Sequence, residues 1–286
     1  MSLEKTQKFS LIMATVGRTK EVKRFLEHLD RQTYRDFELI VVDQNPDDRL
    51  VPILEAYKKR FPILHLRSER GLSRARNVGL KHISGDVVAF PDDDCWYPPD
   101  LLERVARFFR EHPDIDVLTG RSVDENGEPS NGRWDNRAGL INQFNIWRRA
   151  VSYSIFLKKE VVEKVGGFDE SLGVGAGTPW GAGEETDYLL RALERDCYLY
   201  YDPEVAVYHP QPVKHHDRKS IAKARTYAAG IGRVLRKHEY PFWFILYSFL
   251  RTSVGILLAF AMGHFELARF RWASLKGRVR GWLAEV

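Results

Sequence analysis

The chain has 286 residues, 44 % of them hydrophobic and 12 % aromatic, enough for a sizeable buried core and against a disordered or fibrous class. Its two cysteines, Cys95 and Cys197, are far apart and outside any CxxC pair, which argues against cysteine-ligated zinc and a disulfide framework and for free thiols. The net charge of +5 is uneven: from Lys214 onward there are 14 Lys and Arg against 4 Asp and Glu, while the preceding part is mildly acidic. A basic tail suits an anionic partner, and the apolar run beside it favours a membrane surface over nucleic acid.

In chain order, Met1–Ser10 lacks an apolar run long enough for a signal peptide, so a cytoplasmic location is expected. Phe9–Ala14 and Phe37–Asp43 are short apolar runs that read as buried strands, and Lys20–Arg31 between them sets Val22, Phe25, Leu26 and Leu29 at helical spacing. A helix over Arg49–Arg60, a strand at Ile63–Arg67, a helix over Ser73–Ile83 and a strand at Asp86–Phe90 follow. This alternation predicts an α/β fold with a mostly parallel central sheet flanked by helices. In such sheets ligands gather beyond the carboxyl ends of the strands, where Thr15, Asp43 and Asp92–Asp94 fall. The stretch from about Gly120 to Gly183 reads as irregular, with Gly173–Gly183 as a mobile loop over a site. Val205–Val207 is a short strand leading to His209.

Three motifs carry chemistry. Asp92-Asp93-Asp94 follows an apolar strand, and in extended backbone Asp92 and Asp94 project to one side. Two such carboxylates suit a Mg²⁺-like ion that takes its other ligands from water and a substrate diphosphate. The alternative is a solvated turn capping the helix that begins near Pro99. Gly71–Gly79 (GLSRARNVG) opens a helix with Ser73 as N-cap and arginines available to phosphate, but it is not a P-loop. Glu184, Glu185 and Asp187 open a further helix; there they either favour the helix dipole or supply a general base.

Taken in order, LIMATVGR, LIVVDQ, GLSRARNVG, GDVVAFPDDDCW, VGGFDE, the Gly183–Arg191 segment and His209 resemble the family 2 glycosyltransferases, of GT-A fold (nucleotide-diphospho-sugar transferase superfamily), membrane-associated type. The resemblance runs from Phe9 to about Pro210. It implies an inverting, metal-dependent transfer of a sugar from a nucleotide-sugar donor, with UDP the leading nucleotide, to a hydroxyl of a saccharide or lipid-linked acceptor in cell-surface polysaccharide or glycolipid synthesis. By it, Thr15 and Asp43 hold the nucleoside, and Arg76 lies near the phosphates. Asp92, with Asp93 beside it, meets ribose and metal, and Asp94 and His209 bind Mn²⁺ or Mg²⁺. The family's Glu-Asp pair is here Glu184-Glu185, which makes Glu185 the expected base and leaves Asp187 as the alternative.

Residues 1–212 are thus expected to form the GT-A domain, and 213–286 a C-terminal helical extension that meets the membrane or forms homo-oligomers. Phe242–Phe265 is just long enough to span a bilayer but carries Arg251 near its centre, which costs roughly 2.5–3.5 kcal/mol in a span. Basic residues flank both ends, which favours a surface-lying or re-entrant pair of helices at the inner face of the plasma membrane. Two rivals remain: a sugar-nucleotide pyrophosphorylase, disfavoured because Met13–Lys20 holds one glycine, and a non-catalytic nucleotide-sugar-binding module.

Overall fold

The computed structural model describes residues 6–211 and 217–285. The expected domain boundary at 212/213 lies outside the described residues. Two compact units are present. The first comprises Met1–Arg70, Arg74–Gly167 and Tyr188–Pro212; the second comprises Gly71–Ser73, Phe168–Asp187 and Val213–Val286.

The first unit is built on an eight-stranded sheet. Its strands are β1 (Phe9–Thr15), β2 (Phe37–Asp43), β3 (Ile63–Arg67), β4 (Val87–Ala89), β5 (Val117–Val123), β6 (Gly139–Leu140), β7 (Ile155–Lys158) and β8 (Leu199–Tyr208), in the order β3-β2-β1-β4-β7-β5-β8-β6. The first four neighbours run parallel, in register Phe9↔Phe37 and Leu39↔Ile63. β7 is antiparallel to both β4 and β5. β1 and β2 are buried almost throughout, as strands covered on both faces must be. Helix α1 (Lys20–Leu29) buries Val22, Phe25, Leu26 and Leu29, the stripe its sequence spacing marks out.

Several expectations need correction. Helix α2 spans only Val51–Glu55, because Leu54 is its one buried residue and no apolar stripe holds the charged turns that follow. Helix α3 runs Leu72–Leu80, so Ser73 lies inside it; its hydroxyl donates to Leu172 O (2.7 Å) instead of capping the helix. The supposedly irregular middle contains β5, β6, β7 and helix α5 (Lys159–Val165). β8 is longer than expected because it passes through Pro203: its pairing with β5 shifts register between Thr119 and Arg121, the kind of irregularity that admits a proline. Helix α4 (Leu101–Glu111) has Asp100 at its N-cap position, so the acidic triplet does not cap it.

In the second unit, helices α7 (Arg218–Lys237), α8 (Phe242–Ala261) and α9 (Phe265–Leu283) follow one another, after helix α6 (Glu184–Leu193) has contributed its first turn. Asp217 caps α7 by accepting from Ser220 N (2.7 Å). α7 and α9 approach so closely that a Cβ on Gly277 or Gly281 would stand 2.1 Å from Arg225 O or 1.9 Å from Ala229 O. α8 is the opposite case. Its 20 residues have a mean hydropathy of 1.8 over the most apolar window, yet only 11 % of that window is buried. α9 holds it by polar contacts: Arg278 Nη1 donates to Ser248 Oγ (2.9 Å) and Thr252 Oγ1 (3.0 Å), and Arg271 donates to Gly255 O.

Candidate active site

The sheet brings the ends of β1, β2, β4 and β8 to one edge of the first unit. Gln44 N donates to Thr15 O (3.0 Å), Ala14 bridges to Asp92, and Trp96 pairs with Tyr208. Along the triplet the side chains alternate, with 30 % of Asp92 and 20 % of Asp94 exposed but only 10 % of Asp93. Asp92 and Asp94 therefore face outward together, and Asp93 turns in.

Each carboxylate has a distinct set of partners. Asp93 accepts from Thr15 Oγ1 (2.7 Å) and Arg18 Nη1 (2.6 Å). Burial pushes its carboxyl above the ordinary value, against the pull of Arg18 and Thr15. Arg18 Nη1 also lies 2.5 Å from Asp94 Oδ2, and Arg24 Nη2 donates to Asp94 O (2.9 Å). Asp92 Oδ1 accepts from the fully buried Arg76 (3.2 Å) and from Ser152 Oγ (3.4 Å). A cavity of about 390 Å³ opens against Asp94, lined by Arg18, Lys20, Glu21, Arg24 and Pro210.

His209 continues from β8 and stacks on Tyr153 with centroids 5.1 Å apart. Its Nδ1 sits 2.7 Å from Pro210 O, which can only accept, so Nδ1 carries the proton. Its Nε2 lies 3.6 Å from Asp94 Oδ1. Among the described residues no three His, Cys, Asp or Glu side chains form a ready metal cage. Of the expected metal ligands Asp92, Asp94 and His209, the structure brings Asp94 and His209 within 3.6 Å of each other, a pair that would leave most positions of a Mn²⁺- or Mg²⁺-like ion to substrate and water. Cys95 takes no part: burial pushes its thiol well above the ordinary value, and Cys197 is likewise buried and free.

Asp43 is wholly buried at the end of β2. Its Oδ1 accepts from Asn45 N and Nδ2 (both 2.8 Å), and its Oδ2 lies 3.0 Å from His65 Nε2 and 3.1 Å from Arg67 Nη1. Four donors thus surround a group with about four acceptor positions. Arg18, Arg24, Asn45, His65, Arg67 and Ser152 are the residues sequence reading missed. Arg18 and Arg67 were within reach, since each sits at or just past the end of a strand already placed on this edge.

The first turn of α6, in the second unit, separates its three carboxylates by environment. Glu184 is buried, close to Gly173, where φ is +99° and a Cβ would stand 3.1 Å from Glu184 Oε2. Asp187 is fully buried, with Oδ1 2.7 Å from Lys237 Nζ and 2.9 Å from His238 Nε2. Glu185 alone is partly exposed. The loop Gly173–Gly183 is tied by Gly173 N to Trp180 O (2.9 Å) and by Leu72 N to Val174 O (2.9 Å).

A Haemophilus influenzae protein named "Uncharacterized glycosyltransferase" is 28 % identical over 205 residues, 67 % of this chain and 64 % of that protein. The poly(ribitol-phosphate) beta-N-acetylglucosaminyltransferase TarS of Staphylococcus aureus is 30 % identical over 128 residues, 43 % of this chain and 22 % of TarS. The chain thus spans less than two thirds of these relatives' lengths. Among solved structures, the mannosyltransferase PcManGT of Pyrobaculum calidifontis, in complex with GDP-Man and Mn²⁺, superposes with a TM-score of 0.67 at 14 % identity, covering 98 % of this chain and 88 % of that one. TarS 1–349 in complex with UDP-GlcNAc gives 0.61 at 18 % identity, covering 95 % and 92 %. The fold is of the GT-A type. Residues 10–166 match the sequence profile described as "Glycosyl transferase family 2", more than half of the chain, and the protein belongs to that family.

Proposed function

We propose that the protein transfers a sugar from a nucleotide-diphosphate donor, a UDP-sugar first, to a hydroxyl of a saccharide or lipid-linked acceptor in cell-surface polymer or glycolipid assembly. The observation that carries this reading is the outward pairing of Asp92 and Asp94 where four strand ends meet, in a chain of this family. Neighbours of the same fold with UDP-GlcNAc or with GDP-Man and Mn²⁺ support a donor of this class.

In this reading Asp92, Asp94 and His209 would hold Mn²⁺ or Mg²⁺, which would supply charge stabilisation for the departing diphosphate. Thr15 and Asp43 border the nucleoside, and Asp43 reaches the base by exchanging one of its present donors. Arg76 orients Asp92 and would lend its charge to the phosphates, while Asp93 fixes the turn through Thr15 and Arg18. Glu185 takes the proton of the acceptor hydroxyl as its oxygen bonds to the anomeric carbon and the bond to the diphosphate breaks, inverting that centre. Asp187, held by Lys237 and His238, positions the helix instead of acting as base.

We place the protein at the cytoplasmic face of the membrane, attached through α8. Phe242, Trp243, Leu246, Tyr247, Leu250 and Leu257 are all exposed on α8, more apolar surface than a water-soluble helix sustains. Incubation of the full chain with UDP- and GDP-sugars, with and without Mn²⁺, tests the activity. Metal-dependent release of nucleotide supports it; donor binding without turnover on any acceptor would leave a binding module instead.

A further inference from the structure

A second cavity, about 640 Å³, lies within the C-terminal unit between α7 and α9. α7 lines it with Arg218, Ile221, Arg225 and Ala229, and α9 with Arg269, Trp272, Lys276 and Arg280. In each helix these positions recur every three to four residues, so the cavity is bounded by one face of each. Arg271 and Arg278 point elsewhere, into α8.

Five cations thus converge, Arg218, Arg225, Arg269, Lys276 and Arg280, and among the described residues no Asp or Glu lines the space. None of the five is in an ion pair among the described residues, although the chain holds 39 Asp and Glu and pairs many of its other cations. Like charges gathered without partners repel, and a phosphate accepting from two or more of them removes that cost. The wall between them is apolar, formed by Ile221, Ala229, Ala273 and Trp272; the last is half exposed, and Lys276 Nζ lies 5.2 Å from its ring. A free inorganic anion has no use for that wall. An amphiphile with a phosphate head uses both parts, and a tryptophan beside arginines is the side-chain set of a membrane–water boundary.

We propose that this groove binds the phosphate head of an anionic membrane lipid, the cations taking the phosphate and Trp272 with the apolar wall taking the first part of the chain. The inference rests on the membrane attachment argued above and gives it a headgroup preference beyond what α8, whose exposed face is apolar apart from Arg251, supplies.

Flotation of the full chain with phosphatidylcholine vesicles, and with the same vesicles doped with phosphatidylglycerol, tests it. The variants are Arg225→Gln/Arg269→Gln/Lys276→Gln and, for the apolar face, Leu250→Glu/Leu257→Glu. All five positions are exposed, and a thermal melt of each variant checks folding. Wild type is expected to prefer doped vesicles, and the triple variant to lose that preference, roughly 100-fold for three charges, while binding neutral vesicles as wild type does. The inference is overturned if the triple variant keeps the preference. It is also overturned if inorganic phosphate or a single-stranded RNA binds through these residues while doped vesicles gain nothing, or if the variant changes only the oligomeric state. The attachment reading fails separately, if Leu250→Glu/Leu257→Glu binds neutral vesicles as wild type does.

Discussion

Lys237, in the last turn of α7, sets its Nζ 2.7 Å from the carboxylate of Asp187, a residue of the first turn of α6 with no exposed surface. The same ammonium lies 2.6 Å from Asp169 Oδ2, and His238 Nε2 lies 2.9 Å from Asp187. Removing the lysine takes from a buried carboxylate its ammonium partner. Lys237→Met should therefore destabilise the fold by about 3 kcal/mol, the low end for a broken buried pair, since a quarter of the lysine side chain is exposed. A urea midpoint unchanged from wild type would show that the contact contributes little.

Asp169 makes this contact sensitive to pH. Burial raises its carboxyl, but bonds from Lys237 and Ser171 outweigh that and hold it below the ordinary value. A depressed carboxyl favours the folded state above its unfolded pKa, and the benefit is lost as pH falls through the folded pKa. Stability of wild type should thus decline from about pH 4 downward more steeply than that of Asp169→Asn. Parallel melting curves across that range would contradict the assignment.

Glu185 is the carboxylate of its turn whose loss should affect chemistry without affecting the fold. Glu185→Gln is expected to lower kcat by 10²- to 10⁴-fold, the usual range for a general base, with donor affinity and melting temperature near wild type. Asp187→Asn should lower the melting temperature first. Equal kcat losses with an unchanged melting temperature in both would reopen the choice between them.

The sheet edge was legible because parallel strands buried on both faces read as apolar runs, and polar residues ending such runs stand out. Thr15, Asp43 and the triplet were found that way, and the period of two along Asp92–Asp94 is what the burial pattern repeats. The partners were harder. Lys237 and His238 reach Asp187 from about fifty residues away with no local pattern to announce them, and His65 lies on a strand without a motif. β7 was missed because a four-residue antiparallel strand carries too little periodicity to register. The groove between α7 and α9 depends on three glycine-mediated close approaches, at Gly232, Gly277 and Gly281, which charge counting along the tail does not reveal.

The account turns on whether Asp94 grips a divalent ion that in turn holds a nucleoside diphosphate. Calorimetric titration of UDP into wild type and Asp94→Asn, each with and without Mn²⁺, measures this directly. The expected result is binding to wild type that strengthens at least ten-fold with Mn²⁺, and a variant that gains nothing from the metal. Equal enhancement by Mn²⁺ in both proteins, or none in wild type, would contradict it.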